Sequence, residues 1–162
     1  MTVRSKGCSK PMHEARVIWK KSGDFAANRY TRGHMWRFDG GLEVPASASP
    51  SVVPEPYSDP AAVDPEEAFI ASISSCHMLW FLDFARQAGL EPESYEDRAT
   101  GALVRQDGKT WIPRVDLNIR VTWADAPDVD THKALHDKAH HACFIANSVR
   151  TEIVVNLLED TP

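Results

Sequence analysis

Residues 68 to 82, Ala-Phe-Ile-Ala-Ser-Ile-Ser-Ser-Cys-His-Met-Leu-Trp-Phe-Leu, carry no charge and hold a single cysteine near their centre. Their entrance is marked as a helix start. Asp64 can accept backbone donors as N-cap, Pro65 suits the first turn, and Glu67 stands three residues past the cap, where a capping box places an acid. The apolar residues do not keep to one stripe, so this helix is expected to be buried on most sides. A cysteine there, Cys76, is either an inert small hydrophobe or a nucleophile kept dry.

Size and charge narrow the rest. A chain of 162 residues suits one domain with a real core. The net charge is -5 and no basic run exceeds Lys20-Lys21, so neither nucleic acid nor an anionic membrane is an expected partner. Asp83 and Arg86 close the apolar run, so no membrane span is expected. Arg4, Lys6 and Lys10 have no apolar segment behind them, and no signal peptide is read. Three widely spaced cysteines do not form a secreted disulfide framework. A reducing cytoplasm is the expected location.

Residues 1–12 read as a flexible extension containing Cys8, and residues 13–162 as a single domain. His13 to Lys20 and Arg29 to Phe38 read as strands. Asp39-Gly40-Gly41 turns the chain into a short strand, Leu42 to Val44. Residues 45 to 64 hold five prolines and form a long loop of the kind that is usually functional. The central helix is expected to stop at Ala88-Gly89. Ser94 to Arg105 and Trp111 to Trp123 alternate as a hairpin around Gln106-Asp107-Gly108-Lys109, with Val115, Leu117, Ile119 and Val121 on one face. Asp128 to about Phe144 reads as a second helix and Thr151 to Leu157 as a last strand. Strands, helix, strands, helix, strand imply an α+β fold, antiparallel sheets around a buried helix.

Three constellations could carry chemistry. Cys76 and Cys143 lie on two separate helices. They are either two structural cysteines or a peroxide-reducing pair, in which one sulfur is oxidised and the other resolves it. The second role needs a thiolate, and the helix dipole fades within the first turn, so a cation is required. Arg29 and Arg32 are the candidates. Glu66, in the first turn, is a dipole partner or the holder of that arginine; ten residues of helix put it roughly 15 Å from Cys76 along the axis. His132, His136 and His140 share one helical face at a metal-ligand spacing, but Lys133, Asp137 and Lys138 between them mark a solvated face, which is the expectation here.

Asp64-Pro65-Glu66-Glu67 followed by Cys76, then Cys143-Phe144-Ile145-Ala146-Asn147, resembles the OsmC/Ohr family of osmotically inducible and organic hydroperoxide resistance proteins. The resemblance covers roughly residues 13 to 157. It implies an OsmC-like α+β fold in an intertwined homodimer. It further implies a cysteine-based peroxidase reducing organic hydroperoxides in oxidative-stress defence, re-reduced by an external dithiol, without metal, flavin or nicotinamide. By that resemblance Cys76 attacks, Cys143 resolves, an early-strand arginine before the Asp39-Gly40 turn (Arg32 rather than Arg29) is the charge partner, and Glu66 orients it. The alternatives are a non-enzymatic dimer holding an apolar ligand and a metal protein built on the three histidines.

Overall fold

The computed structural model describes residues 13–158. The expected flexible extension, residues 1–12 with Cys8, lies outside the described residues. The chain forms two compact units, with the boundary between Glu66 and Glu67.

The first unit is a three-stranded antiparallel sheet of β1 (Ala15–Ile18), β4 (His34–Phe38) and β5 (Glu43–Ala46), ordered β1-β4-β5. A small hairpin, β2 (Gly23–Asp24) with β3 (Arg29–Tyr30), branches from it. The expected continuous strand from Arg29 to Phe38 is therefore broken at residues 31–33. The cause is a competing set of hydrogen bonds. The Arg32 N–H donates to the Tyr57 carbonyl (2.8 Å), and the Gly33 N–H to the Thr31 hydroxyl (3.0 Å), which turns the chain locally. Gly23 is required where it stands. Its φ is +87°, and a Cβ there would lie 2.4 Å from the Arg29 carbonyl oxygen. The proline-rich loop is ordered against the sheet. Ser47 N–H donates to the Val63 carbonyl (3.0 Å), and the Ser47 hydroxyl accepts from Asp59 N–H (3.0 Å).

The second unit holds most of the core. Its long strand β10 (Arg114–Trp123) pairs antiparallel with β6 (Pro92–Asp97) and with the short β7 (Thr100–Gly101), and parallel with β11 (Glu152–Leu157). The expected long hairpin is divided: β8 (Val104–Gln106) and β9 (Lys109–Trp111) form their own hairpin. Asp107 and Gly108 both have positive φ there, the geometry of a type I′ turn. Pro113, which lacks an N–H, separates that hairpin from β10.

Helix α1 (Pro65–Gln87) ends in a Schellman motif. Gly89 has φ +73°, its N–H reaches the Arg86 carbonyl, and the Leu90 N–H reaches that of Ala85. Helix α2 (Val129–Ala142) starts on Asp128, whose carboxylate accepts from the Thr131 N–H at 2.8 Å. The core joins Ile73, Phe81 and Ala85 of α1, the alternating Val115, Leu117, Ile119 and Val121 of β10, and Leu135 and Ala139 of α2. Leu117→Ala at this fully buried site should lower stability by roughly 2–5 kcal/mol, measurable as a drop in urea midpoint at constant slope.

Two expectations about α1 need correction. Within this chain it is buried along one stripe, Ile73, His77, Phe81 and Ala85, while Leu79 is 62% exposed. One sheet face and one helix can cover one side of a helix and no more. At 23 residues it is also long and apolar enough, by length and composition, to cross a bilayer, despite Asp83 and Arg86. Its stripe packs instead on β10 and α2.

Candidate active site

Cys76 sits mid-helix on α1 and is half-buried; Cys143 caps the C-terminus of α2 and is 1% exposed. The fold brings these two free thiols, far apart in sequence, close enough to interact. Burial, then the hydrogen bond with Cys76, pushes the Cys143 thiol up to about 11. At neutral pH Cys143 is thus protonated. Its sulfur also accepts from the Ala146 N–H (3.4 Å), and its carbonyl accepts from the Asn147 N–H (3.0 Å). The chain turns there through a short 3₁₀ segment, Ala146–Ser148.

In the first unit Arg32 lies in the break between β3 and β4, not within a strand. It is held at three points. Its N–H is bound by Tyr57, its carbonyl accepts from His34 Nδ1 (2.8 Å), and its guanidinium donates to the Tyr30 carbonyl (2.7 Å) and Asn28 Oδ1 (2.6 Å). His34 Nε2 in turn accepts from Trp36 Nε1 at 2.9 Å, which sets the ring's tautomer. The guanidinium stacks 3.8 Å above the Tyr30 ring. No carboxylate among the described residues pairs with it. Arg29, by contrast, is exposed and paired with Asp24 at 3.5 Å. Glu66 stands in the first turn of α1, half-buried, and is not a partner of Arg32 within this chain.

The histidine ladder is not a solvated face. His136 is 2% exposed and bonds His77 Nε2 through its Nδ1 (2.9 Å) and His132 Nε2 through its Nε2 (3.2 Å). Phe81 stacks on His136 with ring centroids 4.2 Å apart. His140 Nδ1 is buried without a hydrogen-bond partner. The reason is helical phase: His136 and His140 share the face of Leu135 and Ala139, while Lys133, Asp137 and Lys138 occupy the other. Burial lowers His77 to about 4 and His136 to about 3, so both are neutral at physiological pH. Sequence reasoning missed His77 as the partner of this row; its place at the centre of the Ile73–His77–Phe81 stripe was the available signal. Among the described residues no three His, Cys, Asp or Glu side chains are placed to hold a metal ion.

The chain matches the OsmC-like protein family over residues 58–158. A search of curated proteins finds no match. Among solved structures, an OsmC-like protein of unknown function from Vibrio cholerae is 46% identical, with a TM-score of 0.89, over 91% of this chain and 99% of that one. An organic hydroperoxide resistance protein from Legionella pneumophila shares the fold at 20% identity, TM-score 0.65, over 92% and 96% of the two chains. The organic hydroperoxide resistance protein OhrB of Bacillus subtilis does so at 18% identity, TM-score 0.62, over 90% and 98%. A protein with this α+β architecture and a thiol pair between its two main helices belongs to a defined class. This chain is a member of the OsmC-like protein family.

Proposed function

We propose that the protein is a cysteine-based peroxidase that reduces organic hydroperoxides. The observation that supports this most is the contact between Cys76 and Cys143, with the buried member held protonated. The Cys76 thiolate attacks one peroxide oxygen and the O–O bond breaks. The alkoxide leaves as alcohol after taking a proton, and Cys76 becomes a sulfenic acid. The Cys143 sulfur then attacks the Cys76 sulfur; its proton leaves with the hydroxide as water, and a disulfide forms. An external dithiol returns the pair to thiols. That cycle suits a reducing cytoplasm. Mass spectrometry after one equivalent of peroxide tests the reading: a Cys76–Cys143 crosslink supports it, and two unreacted thiols would refute it.

The charge partner is Arg32. Its guanidinium is half-buried and has no compensating acid among the described residues, whereas the charge of Arg29 is spent on Asp24 in open solvent. Arg32→Ala should slow peroxide reduction by at least about tenfold, one decade or 1.36 kcal/mol, and Arg29→Ala should do much less. Alkylation rate against pH for each variant checks this. A large effect from Arg29→Ala and none from Arg32→Ala would reverse the assignment. Glu66 is proposed to orient Arg32 through a second copy of the chain.

A homodimer completes the site. The apolar residues of α1 outside its buried stripe, Leu79 foremost, need cover that the described residues do not supply. Sedimentation at micromolar concentration should show a dimer, and a monomer would count against the shared site.

A further inference from the structure

The first unit carries a pocket of about 390 Å³ whose walls include Val17, Trp19, Phe25, Tyr30, Arg32 and His34. Three of these residues form one aromatic cluster. Phe25 and Tyr30 have ring centroids 4.6 Å apart, Trp19 and Tyr30 5.8 Å, Trp19 and Phe25 6.0 Å. The rings are inclined to one another at 37°, 76° and 55°, so the cluster presents both faces and edges rather than a flat stack. Trp19 is fixed in this pose, because its indole N–H donates to the Thr31 carbonyl at 3.0 Å. The β2–β3 hairpin that supplies Phe25 and Tyr30 is itself pinned by Gly23 and by the Ala27 N–H bond to Asp24 Oδ1.

The charge in this pocket is as informative as its rings. Arg32 commits two donors to Tyr30 and Asn28 and has no acidic partner among the described residues, so donors of its five remain. A half-buried guanidinium on an apolar wall favours an incoming oxygen acid or oxyanion. Mixed face and edge contacts favour a ring over a flexible chain, which must give up more rotamer freedom to fill the same space.

We infer that this pocket selects an aryl group bearing an oxygen function. Trp19 and Phe25 are thus specificity-determining residues, and the substrates of the proposed reaction are aryl-substituted hydroperoxides in preference to linear alkyl ones. The inference rests on the peroxidase reading for its substrate, but the ligand preference stands on the pocket alone, and the experiment separates the two.

Two unreactive carboxylates serve as probes, 4-isopropylbenzoate and octanoate, titrated calorimetrically into the full chain. The aryl acid should bind at least fivefold more tightly. Trp19→Leu and Phe25→Leu keep apolar bulk but remove a ring; each should erase that preference while octanoate binding stays within twofold. Arg29→Ala, outside the pocket, should leave both affinities unchanged, and circular dichroism reports whether each variant folds. In turnover, Trp19→Leu should raise KM for cumene hydroperoxide more than for hexyl hydroperoxide. Equal affinity for the two acids, no heat with either because a second copy fills the pocket, or an unaltered preference in both leucine variants would overturn the inference. Aryl binding without peroxide consumption would keep the pocket assignment and defeat the peroxidase reading instead.

Discussion

Cys76→Ser should abolish peroxide consumption, and Cys143→Ser should consume one equivalent per chain and then stall. The two outcomes follow from the different positions of the sulfurs. Cys76 is half-buried, so a peroxide can reach it; Cys143 is closed off at the end of α2 and kept protonated by burial. A hydroxyl at position 76 is far too weak an acid to replace the thiolate, so no oxygen transfer remains. A hydroxyl at position 143 leaves the first transfer intact but removes the sulfur that ends the sulfenic acid. That acid then persists or oxidises further to sulfinic acid. Stoichiometric consumption followed by a mass gain of one or two oxygens on Cys76 is the expected record. Wild-type turnover by Cys143→Ser with a dithiol reductant would make Cys143 structural.

The largest effect on stability should come from acid. His77 and His136 are held neutral in the fold, lowered to about 4 and about 3 from an unfolded value of 6.5. Below pH 6.5 the unfolded chain takes up protons that the folded chain refuses. The stability from these groups is therefore complete above pH 6.5 and is lost as pH falls toward 4. Each histidine contributes about 1.36 kcal/mol per pH unit in that window, so the pair gives about 2.7. Two units consume about 5 kcal/mol, on the scale of an ordinary domain's total stability.

The groups around the pair do nothing to soften this. Helix α2 presents His132 and His140 and β6 presents Tyr95, and the charges that act on the pair are imidazoles: His140 on His77, and His77 and His132 on His136. A proton that enters therefore meets other imidazoles, which disfavour it. Urea midpoints from pH 7 to 4.5 should fall steeply, and His136→Phe, which stacks as well on Phe81, should flatten the slope by about half. An unchanged slope in that variant would show that the acid sensitivity resides elsewhere.

Much of this architecture was legible because it is set locally. Asp64, Pro65 and Gly89 bound α1 through their own backbone preferences, and the alternation from Val115 to Val121 marks a strand with one buried face. The Asp107-Gly108 turn needs no tertiary help. What escaped was decided by distant partners. Arg32 leaves its strand because the carbonyl of Tyr57, far along the chain, claims its N–H. Spacing put His132, His136 and His140 on one face of α2, but it does not say which way that face points; Leu135 and Ala139 settle the matter once packing is seen. Parallel pairing of β11 with β10 is likewise invisible in either strand alone. The thiol pair was readable as two cysteines on two helices. Their contact depends on how α1 and α2 pack, which no local pattern contains.

The mounting of Cys143 has a mechanical consequence. Its sulfur is carried not inside α2 but on the pivot where the helix gives way to a single short turn, tied by the Ala146 amide. In the proposed cycle, drawing that sulfur toward its partner would move a turn of a few residues rather than a whole helix. The Ala146 amide, which has the sulfur as its acceptor, would then be a built-in gauge of whether the proposed cycle stands charged or spent.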